Sequence, residues 1–483
     1  MKVLYVTAEM APYAKTGGLG DVAGALPPAL KKLGIDIRVI MPDYPCVAET
    51  NLRPEHCEIN VLIPIGPQLY ETHLHLAEHH GVPLLLVRNQ EFFLRSGIYG
   101  EAGEGYADNG ERFGLFCRAV LRLLPQTGFQ PDLIHINDWH GALIPTLLKH
   151  ELTHIPYFAS IKTLLTIHNL AYNGVFENRL LQQLDLDPSL GNVKYLGFGE
   201  GLSLLKGGIV DADRVATVSP TYAAEICTPP YGHGLDKVLR SHHREITGII
   251  NGIDTQIWNP ANDPLITAPY AADSPAGKQS CKHLLQQELG LESNDNRPLF
   301  GMVTRLDHQK GLDLVAQAVP QLITLGGQLV ILGEGDQDLA ATLSRSAHEH
   351  PRQVTLVQRF DERLAHRIYA GSDLLLMPSR YEPCGLTQLI ALRYGTVPVT
   401  RHTGGLADTI VDADASPQSG NGFSFNDFKS EALVEAVSRA IACYRDPQRW
   451  QQIRQRGLLG NYSWIAAAKG YQQLYDDIAG EQT

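Results

Sequence analysis

Short apolar runs alternate with amphipathic stretches along almost the whole chain. In the first half, segments 2–7, 35–41, 84–87, 133–137, 164–168, 214–218 and 246–250 read as strands. In the second half, segments 299–304, 328–332, 354–357, 374–377 and 397–399 do so. Most are nearly continuous in Val, Ile and Leu, the pattern of strands covered on both faces. Helical spacing lies between them, as in 311–325, 361–370 and 430–444. Strand–helix alternation run through twice predicts an α/β protein of two doubly wound parallel-sheet domains. The stretch 259–275 carries Pro260, Pro264, Pro269 and Pro275 with little periodicity and reads as a linker. The expected domains are 1–256 and 257–460, followed by a terminal segment, 461–483, whose helix packs back on the first domain.

The most informative string is Lys15-Thr16-Gly17-Gly18-Leu19-Gly20-Asp21-Val22. It lies between the first strand and a helix expected over 22–30. A glycine-rich loop there offers backbone N–H groups and a helix dipole to an anion, and Lys15 adds a full charge. Gly18-x-Gly20-x-x-Ala23 also satisfies the dinucleotide fingerprint, so a Rossmann dehydrogenase is a rival. Two features count against it: the long segment between strand and glycines, and the Lys-Thr pair before them. A second set of strand ends carries Arg305 and Lys310 around a short loop, suited to clamp a diphosphate. Glu382, in Arg380-Tyr381-Glu382-Pro383-Cys384-Gly385, follows the strand 374–377. Thr403-Gly404-Gly405 offers another N–H nest, while Asn137-Asp138-Trp139-His140 and His168-Asn169 end first-domain strands. Each string has a plain alternative: a solvated loop for the cations, a helix-start acid for Glu382, a structural role for the histidines.

Length and composition narrow the field. The chain has 483 residues, 44% hydrophobic, and a net charge of −12 without a basic block. Nucleic acid and anionic membranes are poor partners on that balance. No run reaches the roughly 18 apolar residues of a membrane span. Seven scattered cysteines with no Cys-x-x-Cys argue against a disulfide framework or structural zinc. With no signal-peptide layout, a cytoplasmic location is expected. The histidines at 73, 75, 79 and 80 invite a metal reading, but no carboxylate–His motif frames them, and 73 and 75 suit an exposed strand face. The Asp-x-Asp pairs at 185/187, 211/213, 336/338 and 412/414 sit in turn or cap contexts.

Taken together, and in this order, the blocks 15–22, 135–143, 166–174, 251–254, 305–311, 380–388, 403–408 and the tail 464–475 resemble the bacterial-type glycogen and starch synthases of glycosyltransferase family 5. The resemblance implies the GT-B arrangement of two Rossmann-like domains facing across a cleft. It implies transfer of glucose from ADP-glucose to the non-reducing end of an α-1,4-glucan (glycogen or a malto-oligosaccharide), with retention and without a metal or other cofactor. In that family the phosphate-binding lysine falls on Lys15 and the essential acid on Asp21. The sugar-contacting histidine falls on His168, the phosphate clamp on Arg305 and Lys310, and the cleft glutamate on Glu382. Gly17, Gly18, Asp138, Asn169, Asn251, Phe360 (beside the adenine), Cys384, Gly385, Leu386, Thr403, Gly404 and Gly405 are the implied substrate-binding positions. Position 390, where many GT-B relatives carry a ribose-binding glutamate, is Ile390. A UDP-glucose-dependent synthase and a catalytically inactive glucan-binding relative are the alternatives.

Overall fold

The computed structural model describes residues 1–101, 103–242 and 246–480. The chain forms two compact units, one of residues 1–249 together with the terminal helix from Trp464 onward, the other Ile250–Ser463. These divisions lie a few residues from the 256/257 and 460/461 boundaries expected from sequence.

In the first unit a nine-stranded sheet runs in the order Thr247–Gly248, Arg214–Thr217, Lys162–Ile167, Leu133–Asn137, Lys2–Val6, Asp36–Pro42, Val82–Arg88, Gln68–His79, Glu55–Ile65. The first seven strands are parallel. The last two form an antiparallel hairpin that the sequence reading missed. The hairpin strand Glu55–Ile65 alternates exposed and half-buried positions along much of its length, so it lacks the apolar run by which the inner strands were recognised. His73 and His75 stand on its partner and are half-buried, not exposed. His75 Nδ1 lies 3.1 Å from Asp43 Oδ2. His79 bonds the Tyr13 hydroxyl and the Gly24 carbonyl, both at 2.8 Å. Among the described residues no group of three His, Cys, Asp or Glu could hold a metal ion.

The helix after the first strand spans Gly18–Lys32, so it begins inside the glycine-rich string rather than after it. Leu19, Val22, Ala23, Leu26, Ala29 and Leu30 form its buried face, and each large aliphatic contributes about 1.5–3 kcal/mol. The terminal helix Trp464–Gly480 belongs to this unit. Its buried stripe Trp464, Ala467, Ala468, Tyr471, Leu474, Tyr475 and Ile478 follows helical spacing. Tyr475 hydroxyl meets His135 Nδ1 at 2.7 Å, and Gln472 donates to the Leu33 carbonyl at 3.2 Å.

The second unit holds a six-stranded parallel sheet ordered Val354–Val357, Gln328–Leu332, Leu299–Val303, Leu374–Met377, Val397–Arg401, Phe423–Phe425. Segment 259–275 is no linker but part of this unit's core. Asp263 accepts from the Tyr394 hydroxyl at 2.5 Å and lies 2.7 Å from His366 Nδ1. The Tyr270 hydroxyl reaches the Tyr394 carbonyl at 2.9 Å. The prolines that suggested a linker only shape an irregular strap over apolar neighbours. No helix among the described residues is long and apolar enough to cross a membrane.

The Asp263 side chain is fully buried between its two partners. Asp263→Ala orphans both, and unpaired buried polar groups cost about 1–3 kcal/mol each. The second unit's calorimetric transition is therefore expected to fall by several degrees, with the first unit's unchanged.

Candidate active site

In both sheets the chain runs outward from a central strand, returns, and continues on that strand's other side. The reversal falls between Lys2–Val6 and Leu133–Asn137 in the first unit, and between Leu299–Val303 and Leu374–Met377 in the second. At such a switch point the loops leave the carboxyl edge in opposite directions and open a crevice. Every candidate site residue named above except Thr403-Gly404-Gly405, His168-Asn169, Asn251 and Phe360 lies at or beyond the end of one of these four strands, and the first two of these exceptions follow neighbouring strands.

In the first crevice Lys15 Nζ donates to Asp21 Oδ1 at 2.6 Å, with the lysine exposed and the aspartate partly so. An exposed pair of this kind holds about 1 kcal/mol or less, so an incoming phosphate can displace it. A Cβ built at Gly17 or Gly18 meets nothing within 4 Å, and neither has a positive φ. Packing within the protein does not require glycine there, whereas close approach of a ligand to the backbone would. The Thr16 and Gly17 amides, expected to form an open nest, instead donate to Glu9 Oε2 at 2.7 and 3.1 Å.

Asp138 adopts a left-handed conformation, φ 55°. Its Oδ1 accepts the His168 amide at 2.7 Å. Burial pushes its carboxyl up to about 7, against the lowering effect of the His168 and Asn169 amides. The His168 ring lies 2.9 Å from Asn137 Oδ1 through Nε2. Asn137 Nδ2 donates to the Val6 carbonyl, so its Oδ1 accepts, and His168 Nε2 carries the proton. Burial pushes the His168 imidazole down to about 3, and that of His140 likewise. His168 is therefore a neutral ring whose Nδ1 is an acceptor. Asn169 Oδ1 accepts the Ala171 amide at 3.1 Å, which fixes the turn after the strand.

In the second crevice Lys310 Nζ donates to both oxygens of Glu382, at 2.9 and 2.7 Å. Ser379 hydroxyl adds a third bond at 3.0 Å. Glu382 is 5% exposed. The two loops are stitched by Arg380 N–H to the Gln309 carbonyl at 2.7 Å. Gly311, φ 71°, lets them approach, because a Cβ would sit 2.1 Å from the Pro378 carbonyl. Arg305 pairs with Asp307 at 3.2 Å. The small cavity between the strand ends is lined by Thr304, Lys310, Ser379 and Thr387 among others.

Gly405 N–H is taken up by the Glu382 and Pro383 carbonyls at 3.1 Å, so this part of the expected second nest is closed. A Cβ at Gly404 or Gly405 would sit 2.0 or 2.1 Å from the Glu382 or Cys384 carbonyl. Thr403 precedes them as the N-cap residue of the helix Gly404–Thr409. The pair therefore positions the Glu382 loop. Gly385, φ 74°, turns that loop into the helix Thr387–Arg393, preceded by Leu386. Cys384 Sγ accepts the Asn251 amide at 3.4 Å, and burial pushes its thiol up to about 12, so it is no thiolate nucleophile. Asn251 Oδ1 is buried with no partner in the protein among the described residues. Phe360 is 81% exposed, and Ile390 is buried in an apolar cluster.

Sequence reasoning missed Glu9, Tyr99 and Ser379 and gave Asn137 no role. A lone acid just beyond an apolar strand, Glu9, was the available signal.

Asp138 gives a pH test. A carboxyl raised in the folded state adds stability that is complete below its unfolded value near 4 and is lost as pH rises through about 7. The slope is on the order of 1 kcal/mol per pH unit. Asn tolerates the same backbone conformation. Urea midpoints of Asp138→Asn between pH 5 and 8 are therefore expected to rise relative to the unaltered protein as pH increases.

Residues 2–241 match the family described as starch synthase catalytic domain, and residues 287–456 match glycosyl transferases group 1. The glycogen synthase of Syntrophotalea carbinolica is 47% identical over 98% of each chain. That of Geobacillus stearothermophilus is 42% identical over 99% of this chain and 98% of its own. The catalytic domain of Arabidopsis thaliana starch synthase IV, solved with ADP and acarbose, superimposes with a TM-score of 0.91 at 36% identity over 99% of each chain. The sucrose-phosphate synthase of Thermosynechococcus elongatus, at 19% identity and TM-score 0.62, shares the fold alone. The chain belongs to the glycogen and starch synthase family of GT-B glycosyltransferases.

Proposed function

We propose that this protein elongates α-1,4-glucan by moving glucose from ADP-glucose to the non-reducing end of glycogen or a malto-oligosaccharide, with retention at the anomeric carbon. The observation that carries the reading is the Lys310–Glu382–Ser379 cluster at the second switch point. Family membership and the ADP bound to the Arabidopsis relative support the donor. A UDP-glucose donor is the competing assignment.

A nucleoside diphosphate is a good leaving group, so the task is to stabilise charge growing on phosphate. Lys15, Arg305 and Lys310 are the cations assigned to it. Lys310 need not abandon Glu382 to act: an ammonium has three N–H donors, and two already reach Glu382. Removing one partner of such a buried pair costs about 3–5 kcal/mol, which favours retention of the pair. A carboxylate held this way is a weak nucleophile but remains a negative group able to stabilise an oxocarbenium-like sugar. That favours same-face return, with the departing phosphate activating the acceptor hydroxyl, over double displacement through Glu382. His168 Nδ1 accepts from a sugar hydroxyl, Asn251 Oδ1 from another, and Phe360 stacks on the adenine. Asp21 holds Lys15 until phosphate arrives. No metal is called for by this scheme.

The deciding experiment is incorporation of labelled glucose into glycogen from ADP-glucose and UDP-glucose side by side. Incorporation from ADP-glucose is expected, and preference for UDP-glucose would overturn the donor. Activity is expected to survive EDTA, and strong loss would restore a metal. Glu382→Gln is expected to lower kcat by about 100-fold or more with donor affinity retained, an electrostatic contribution of about 3 kcal/mol. Unchanged turnover would remove Glu382 from the mechanism. No incorporation from either donor by folded protein would favour the inactive, glucan-binding alternative.

A further inference from the structure

A carboxylate occupies the place where the glycine-rich loop was expected to receive an anion. Glu9 is 3% exposed, and four donors converge on it. The Thr16 and Gly17 amides meet Oε2 at 2.7 and 3.1 Å. The Thr16 and Tyr99 hydroxyls meet Oε1 at 2.7 and 2.6 Å. Amides already bonded to a carboxylate cannot also hold a phosphate, and the fixed negative charge repels one. Lys15 leaves the same turn. Its stem crosses Gly20, where a Cβ would lie 3.0 Å from Lys15 Cγ and 3.3 Å from Glu9 Oε2.

The far side of Glu9 is rigid. Asn109 Nδ2 holds the Tyr99 carbonyl at 2.9 Å, and the buried Arg112 guanidinium holds the neighbouring Ile98 carbonyl at 3.1 Å. The Tyr99 ring stacks on His140 with centroids 4.7 Å apart. Glu9 thus ties the glycine-rich loop to the packed wall of the first crevice.

We propose that Glu9 is a positioning residue for glucosyl transfer, fixing the Lys15–Gly17 turn so that the Lys15 ammonium, not the Thr16 and Gly17 amides, is that turn's contact with the donor diphosphate. The inference rests on the function proposed above. It predicts a particular pattern of substitutions, because a glutamine can keep the geometry without the charge. Its carbonyl can accept the two amides while its NH₂ donates to the two hydroxyls, which turn to accept.

The test combines steady-state kinetics with amide exchange on the full chain. Glu9→Ala is expected to lower kcat about 30-fold or more, and Glu9→Gln less than about fivefold. In a Lys15→Ala background, Glu9→Ala is expected to cost less than about threefold further, since its effect runs through Lys15. Thr16 and Gly17 amides are expected to be protected in the unaltered protein and Glu9→Gln, and to exchange fast in Glu9→Ala. If Glu9→Ala does not fold, Thr16→Val removes one of the four donors, the hydroxyl, and reads the same dependence on Lys15. Glu9→Gln falling as far as Glu9→Ala would overturn the proposal in favour of a charge or proton-transfer role. Independent, multiplying effects of Glu9→Ala and Lys15→Ala, or unchanged turnover in Glu9→Ala, would overturn it as well. Absence of transfer by the unaltered protein would overturn the functional reading instead, while exchange still reports on the loop.

Discussion

The chain reversal beside each central strand is the constraint on which the rest depends. In a parallel sheet all strands end on one edge, and successive loops normally lean the same way over it. Only where the chain crosses back past its first strand do two loops part. Lys2–Val6 with Leu133–Asn137, and Leu299–Val303 with Leu374–Met377, are the two places where this happens. The polar groups at the ends of these strands, Glu9 and Asn137 in one unit and Lys310 and Glu382 in the other, gather there because the parting loops open a crevice at that edge.

Each crevice carries one lysine–carboxylate pair, and burial makes the two pairs different devices. Lys15 and Asp21 are exposed, so water screens them and their bond is easily exchanged for another anion. Glu382 is enclosed, and losing Lys310 would strand its charge in a poorly solvated place. The first pair suits a contact made and broken during a cycle. The second suits a fixed electrostatic frame. Gly311, Gly404 and Gly405 serve that frame: at each, a neighbouring carbonyl leaves no room for a Cβ.

The inner strands were legible in the sequence because burial on both faces makes them apolar throughout, and their ends located the motif residues. What escaped has a common cause. The hairpin strand Glu55–Ile65 is half-exposed and lacks the apolar run. The strap 259–275 is held by buried polar contacts of Asp263 and Tyr270, which leave no periodic trace. The glycine string announced an anion site, but an acid from an adjacent turn already takes its Thr16 and Gly17 amides, a contact that leaves no mark in the spacing. Spacing reports which groups share an edge and says little about which hydrogen bonds they have already made.

The distribution of charge between the crevices fits a reaction that joins a neutral sugar to a neutral glucan through a charged donor. On the wall that holds His168, burial keeps the histidines uncharged, and Asn137 fixes which nitrogen of His168 accepts. A polyol offers hydroxyls and no charge, so such a surface binds it without stranding an ion. The diphosphate is the one strongly charged group, and in a chain of net charge −12 it can be held only where cations have been placed deliberately. Arg305, Lys310 and Lys15 each stand next to an acid: Asp307, Glu382 and Asp21. Each cation is thereby balanced locally within its own unit. An exposed acid exchanges its cation readily for another anion, whereas the enclosed Glu382 keeps Lys310, because parting them would strand its charge away from water.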